Sequence, residues 1–338
     1  MNIYDDNGYL DFNSILKVKV PFIWILGGRG TGKTYGALQY CYDHNINFMF
    51  MRNTQTQIKK LVKPQFNPFK KLNSNKGINV LTDRTDEDLG FFYEATEEDK
   101  KIIGTLCALS TVGNLRGFDA SDCKILIWDE FIPQKQERGV KDIGDAFLNA
   151  YETINRNREL EGEDPLKVLA LSNSNELNNP LFIDLGLVRI AEKMQKKKQQ
   201  VTINEARGFM IINLYESPIS EKKKETALYK FSSSNSSYYK MAIENDYNLS
   251  SDELVRPQPL KEYKPIVNVG ELCIYEHKSE RRYYICDLKQ STASSYGSDE
   301  IALKRFKNKY LWLYVAHMQQ EIYFQDYSAL GLFEKYIK

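Results

Sequence analysis

Residues 27–34 of this 338-residue chain read GGRGTGKT, which satisfies GxxxxGK[ST] at every position. Gly27, Gly28, Gly30 and Gly32 keep side chains out of the way, so the backbone N–H groups of the loop, including those of Arg29 and Thr31, can converge on phosphate oxygens. Lys33 is spaced to reach the β- and γ-phosphates, and the Thr34 hydroxyl to ligate Mg²⁺. Further along, Asp129-Glu130 closes the run KILIW. There Asp129 is a candidate to hold Mg²⁺ through water, and Glu130 to polarise an attacking water. A glutamate beside the aspartate favours hydrolysis over small-molecule kinase chemistry, which needs no water-activating base. Ser172-Asn173 closes a third apolar run, KVLAL. That pair reads either as a polar sensor of the γ-phosphate and attacking water or as ordinary turn formers. The implied chemistry is nucleotide binding with Mg²⁺, followed by hydrolysis.

These residues need a scaffold that delivers them to one edge. Phe22–Leu26 is a continuous apolar run, as expected of a strand buried on both faces, and 34–42 reads as the helix that follows the glycine loop. Residues 47–51 (NFMFM), 124–128 and 167–171 are further buried-strand candidates, and 89–94 with 102–110 reads as a hairpin across EATEEDK. Strands alternating with helices predict an α/β P-loop domain with a mainly parallel sheet over 1–180. From 181 to 255 the chain is polar and helix-prone, with lysine triplets at 196–198 and 222–224 and a serine-rich loop at 232–237; it is expected as a helical linker or lid. Pro257 and Pro259 mark a boundary before a small α+β domain over 256–338. There 271–275 and 283–288 pair as strands across HKSER, 303–310 is a helix and 322–324 a short strand.

The composition, 42% hydrophobic and 27% charged, is globular. No apolar run approaches the roughly 20 residues of a membrane span, and a soluble intracellular protein is expected. Five cysteines without a CxxC pair and three scattered histidines argue against a disulfide scaffold or a zinc site. The formal charge of +1 averages two halves: residues 1–180 carry 22 basic and 25 acidic groups, residues 181–338 carry 24 and 20. Neutrality therefore does not exclude a nucleic-acid partner. It suits a mildly basic grip that can be released.

Taken in order, GGRGTGKT, Arg52 after the second strand, ALSTVGNLRGFDASDCKILIWDEF, ETINRNRE and LSNSNELNNPLF resemble the ATPase half of viral DNA-packaging motors, the terminase large subunits. The resemblance is in particular to the short packaging ATPases (encapsidation proteins) of small podophages, and it is carried by about residues 20–185. It implies an RecA-like (ASCE) ATPase that translocates double-stranded DNA into a procapsid. It also implies a homo-oligomeric ring, usually a pentamer, docked on a portal in the host cytoplasm, with a packaging RNA as a further partner and no membrane. Arg156 matches the family's trans-acting arginine finger, with Arg158 as the alternate, and Arg116 matches a second basic position between subunits. Read from the residues alone, Arg156 and Arg158 could equally be a solvated helix end paired with residues such as Glu152. Arg52 could sit near the nucleotide or cap its strand, and Gln55 stands near where a podophage relative has a basic residue. A cellular helicase or AAA-like remodelling ATPase is the alternative class, but its further motifs are not found.

Large terminases continue into an RNase H-like nuclease built on convergent carboxylates that hold two metal ions. Asp287 near a strand end, with Glu321 and Asp326 flanking IYF, is the nearest set here. By resemblance this is a vestigial, inactive nuclease fold. Arg281, Arg282, Lys304, Arg305, Lys307 and Lys309 form a basic cluster there, which is either a DNA-phosphate contact or a solvated face.

Overall fold

The computed structural model describes residues 1–84, 88–95, 100–115, 117, 119–133, 139–173, 176, 178–215, 217–232, 239 and 253–337. It contains two compact units, Met1–Asn175 with Met194–Tyr247, and Glu176–Lys193 with Asn248–Lys338.

Among the described residues of the first unit, nine strands form one sheet: β1 (Phe22–Leu26), β2 (Phe48–Arg52), β3 (Val80–Arg84), β4 (Gly90–Ala95), β5 (Lys100–Ala108), β6 (Ile125–Asp129), β7 (Lys167–Ser172), β8 (Val201–Asn204) and β9 (Phe209–Asn213). Their order is β3-β4-β5-β2-β6-β7-β1-β9-β8. The six strands from β5 to β9 in that order run parallel, and antiparallel pairs close both edges. This is the expected mainly parallel sheet, and the hairpin reading of β4 and β5 holds. β7 lies between β1 and β6, so three loops of different chemistry leave the same edge side by side.

Burial explains why the central strands read so clearly. β6 is buried along its whole length, as are all but the first residues of β1 and β7. One face packs against the helix Lys33–Asp43 through Ile23, Ile25, Ala37, Leu38 and Cys41. The other carries Trp24, Trp128, Phe131 and Phe147, the last from the helix Ile143–Asn155, with Trp128 stacked on Phe147 at 5.0 Å. That aromatic block lies directly behind Asp129 and Glu130 and stiffens the strand end that carries them.

The expected helical linker over 181–255 needs correction. FMIIN of β9 is buried throughout and pairs in parallel with β1, so β8 and β9 extend the sheet of the first unit. Surrounding polar residues dilute this four-residue apolar run, FMII, which hid it from a reading by average polarity. The serine-rich segment lies largely outside the described residues.

The second unit holds a five-stranded sheet of β10 (Tyr263–Val269), β11 (Leu272–His277), β12 (Tyr283–Cys286), β13 (Ser294–Tyr296) and β14 (Ile322–Phe324), ordered β13-β10-β11-β12-β14. β10, β11 and β12 are antiparallel; β13 runs parallel to β10, and β14 parallel to β12. The helices Glu300–Lys309 and Tyr327–Ile337 complete it, with Phe306, Phe324 and Phe333 fully buried. No helix among the described residues is long and apolar enough to cross a membrane.

Candidate functional site

The phosphate loop runs from the end of β1 into the helix Lys33–Asp43, whose N-cap is Gly32. Gly30 (φ 73°) and Gly32 (φ 85°) occupy left-handed backbone that a side chain would strain. A Cβ on Gly32 would also come within 3.0 Å of the Tyr9 ring. The loop is tied down at its start, where Gly27 N donates to the Ser172 carbonyl at 3.3 Å. Lys33 is buried, and its Nζ donates to the carbonyls of Gly27 and Gly28 (both 2.8 Å) and to Thr31 Oγ1 (3.2 Å). Thr31 in turn donates to the Gly28 carbonyl. Burial brings the Lys33 ammonium down to about 7, with Asp129 pulling it back up.

Opposite the helix start, Thr34 Oγ1 donates to Asp129 Oδ1 at 2.7 Å, joining residues 95 positions apart. A hydroxyl and a buried carboxylate brought together beside an anion-binding loop are the hard oxygen donors a magnesium ion takes. Arg52, at the end of β2, bonds both acids: Nη2 meets Asp129 Oδ2 at 3.0 Å, and Nη1 donates to Glu130 Oε2. Burial pushes the Asp129 carboxyl up, and the Arg52 guanidinium opposes it. Asn173 Nδ2 donates to the other Glu130 oxygen at 3.2 Å. Both Glu130 oxygens are thus held, one by a cation from β2 and one by an amide from the end of β7. Glu130 itself sits at φ 55°, a costly conformation for a non-glycine residue.

One participant is absent from the sequence reading. Asn53 Nδ2 donates to the carbonyls of Glu130 (3.0 Å) and Phe131 (3.3 Å), and its Oδ1 accepts from Trp128 Nε1 at 2.9 Å. It buttresses the turn that carries Glu130. Its only signal in the sequence is a polar residue directly after a buried strand, which is too common to single out.

The podovirus DNA encapsidation protein (Gp16) family model matches residues 4–268. The chain belongs to that family. Two solved structures resemble it over nearly their full length: the Phi-28 gp11 DNA packaging motor (18% identity, 98% of each chain, TM-score 0.65) and the bacteriophage Phi-29 viral genome packaging motor assembly (17% identity, 97% of this chain and 99% of that one, TM-score 0.64). At these identities they establish the shared fold. No curated protein matches the sequence.

In this chain the two finger candidates part company. Arg156 is exposed and caps the helix Ile143–Asn155 in left-handed backbone (φ 48°, ψ −131°). Arg158 is 6% exposed, and its guanidinium is spent on the carbonyls of Cys123 (2.6 Å), Ala120 (2.7 Å) and Ser121 (3.1 Å). It anchors the approach to β6, so the expectation that it could serve as the alternate finger is corrected: a group so bound cannot reach a neighbouring subunit. Arg116 lies outside the described residues.

In the C-terminal unit, Asp287 and Asp326 do come together, but around an arginine. Arg189 Nη2 meets Asp287 Oδ2 at 2.6 Å, and Nε meets Asp326 Oδ2 at 3.0 Å. Asp326 Oδ1 is committed to the Ala329 amide, and Glu321 pairs elsewhere, with Arg281 at 3.1 Å. No cluster of three or more potential metal ligands occurs among the described residues. The hydrogen bond from Arg189 holds the Asp287 carboxyl below its usual range. Its stabilising effect is therefore present above about pH 4 and is lost as pH falls through the depressed value. Arg189→Ala should lower the melting temperature at pH 7, with the gap to wild type closing as the pH drops below 4. Of the basic cluster, Arg281 and Arg282 are already paired, with Glu321 and Glu280.

Proposed function

We propose that this chain is an ATP-hydrolysing motor subunit that drives double-stranded DNA into a procapsid. The observation that carries the reading is the joint geometry at the sheet edge: Thr34 on Asp129, and Glu130 held at both oxygens by Arg52 and Asn173. The loop amides and Lys33 bind the phosphates. Thr34 and Asp129 would hold Mg²⁺, which when bound neutralises charge between the β- and γ-phosphates. Glu130 takes a proton from the attacking water. Asn173 and Arg52 each hold one oxygen of that carboxylate and so orient it. Arg156, exposed at a helix end, enters the neighbouring subunit's site and offsets transition-state charge. Such a division of labour calls for a ring, proposed here as a pentamer on a portal in the host cytoplasm with a packaging RNA as a further partner, a reading that the family resemblance supports. Arg116 is assigned by the same resemblance to the subunit interface.

The C-terminal unit is proposed as a vestigial nuclease. With Arg189 seated between Asp287 and Asp326, the purified chain should leave linear DNA uncut in Mg²⁺ or Mn²⁺; cutting would refute this part of the reading. The basic residues Lys304, Arg305, Lys307 and Lys309 on the helix Glu300–Lys309 are proposed to meet DNA phosphates without sequence preference. The decisive measurement is ATPase rate with and without linear double-stranded DNA and procapsids. Turnover stimulated by both together is expected. Stimulation by protein partners alone, with no DNA dependence, would sink the motor reading.

A further inference from the structure

Lys223 belongs to the helix Pro218–Lys224, and sequence marks it only as the middle of a lysine triplet. Its Nζ donates to the Arg29 carbonyl at the crest of the phosphate loop. Its Cε lies 3.2 Å from where a side chain on Gly30 would begin. Its two neighbours go elsewhere: Lys222 Nζ donates to the Asn7 carbonyl at 3.0 Å, and Lys224 pairs with Glu221 at 2.6 Å. The helix is held in place by close packing on the N-terminal segment, where a Cβ on Gly8 would fall 2.7 Å from Pro218 Cβ.

The surroundings of Lys223 are those of a cation without its anion. Among the described residues its ammonium has one hydrogen-bond partner, a neutral carbonyl, and no carboxylate pairs with it. Burial lowers its pKa. Lys33 likewise rests on loop carbonyls, and the two ammonium groups are close enough to repel each other. Two lysines, from opposite ends of the unit's sequence, therefore converge on a loop whose sequence is built to bind polyanions. A polyphosphate chain would relieve their repulsion and replace bonds to neutral carbonyls with bonds to anionic oxygens, in which both partners are charged.

We propose that Lys223 is a second phosphate-binding lysine of the nucleotide site, its ammonium passing from the Arg29 carbonyl to a phosphate oxygen when a nucleoside triphosphate binds. The inference rests on the nucleotide-site reading above and adds to it a residue from the segment beyond β9.

The test is titration of the full chain with a fluorescent ATP analogue in Mg²⁺, followed by displacement with inorganic tripolyphosphate. Lys223→Met keeps the aliphatic stem and removes the charge. It should weaken both probes by about tenfold or more, the scale of one charge-assisted hydrogen bond. Lys223→Arg should recover most of the affinity, and Lys222→Met should bind like wild type. Lys33→Ala tests the underlying reading separately: wild-type affinity in that variant would overturn the nucleotide site itself. Loss of binding in Lys33→Ala with Lys223→Met within twofold of wild type would overturn the assignment of Lys223 alone. So would an equal loss in Lys222→Met, or a loss for the ATP analogue that tripolyphosphate does not share.

Discussion

Glu130→Gln should lower ATP turnover by about 10²–10⁴-fold, the usual contribution of a positioned general base, while nucleotide affinity stays within a few-fold. The amide keeps the shape, and its one oxygen can still accept from Arg52, but it cannot accept the proton. The phosphate contacts proposed above, Lys33 and the loop, make no hydrogen bond to Glu130 and stay in place. The residue's left-handed backbone and its support from Asn53 fix where the side chain starts, and two hydrogen-bond donors fix where it ends. Single-turnover hydrolysis alongside equilibrium binding checks this. A variant that retains more than a tenth of wild-type turnover would show that Glu130 is not the base.

The second large effect separates two arginines that sequence could not tell apart. Arg158→Ala should cost about 3 kcal/mol of stability, because it strips charge-assisted hydrogen bonds from three backbone carbonyls in a buried setting. In a unit of this size that corresponds to a fall of roughly 6–12 °C in melting temperature. Arg156→Ala should leave the melting temperature of the monomer nearly unchanged and nucleotide binding intact. It should reduce turnover of the assembled ring by about 10³-fold or more, the range measured when an arginine finger is supplied or withheld. If Arg156→Ala lost monomer binding as well as turnover, Arg156 would be structural instead.

That contrast shows where sequence reading reaches its limit. GGRGTGKT, Asp129-Glu130 and Ser172-Asn173 could be located from sequence because each stands at the end of an apolar strand buried along all or all but the first of its residues, and a run of that kind has few readings. The strand order then brings their loops to one edge with nothing further to specify. Arg156 and Arg158 sit two residues apart in a polar segment, and only the path of the chain after the helix Ile143–Asn155 sends one outward and the other inward. Arg52 had two open readings because its partners lie 77 and 78 positions away, on β6 and the turn after it. Asp287 and Asp326 were correctly brought together, but their occupant, Arg189, comes from a segment read as linker, where a lone arginine carries no signal.

The aromatic block behind the acids has an optical consequence. Trp24 and Trp128 are both buried, on β1 and β6, and the indole N–H of Trp128 is two hydrogen bonds from the Glu130 carbonyl by way of Asn53. The third tryptophan, Trp312, is 38% exposed in the other unit. A Trp312→Phe chain would therefore draw its tryptophan emission from Trp24 and Trp128 alone, both packed on Phe131 and Phe147 beside the turn that carries Glu130. Its intrinsic fluorescence becomes a label-free clock for events at the site, readable during packaging without attaching a dye to the motor.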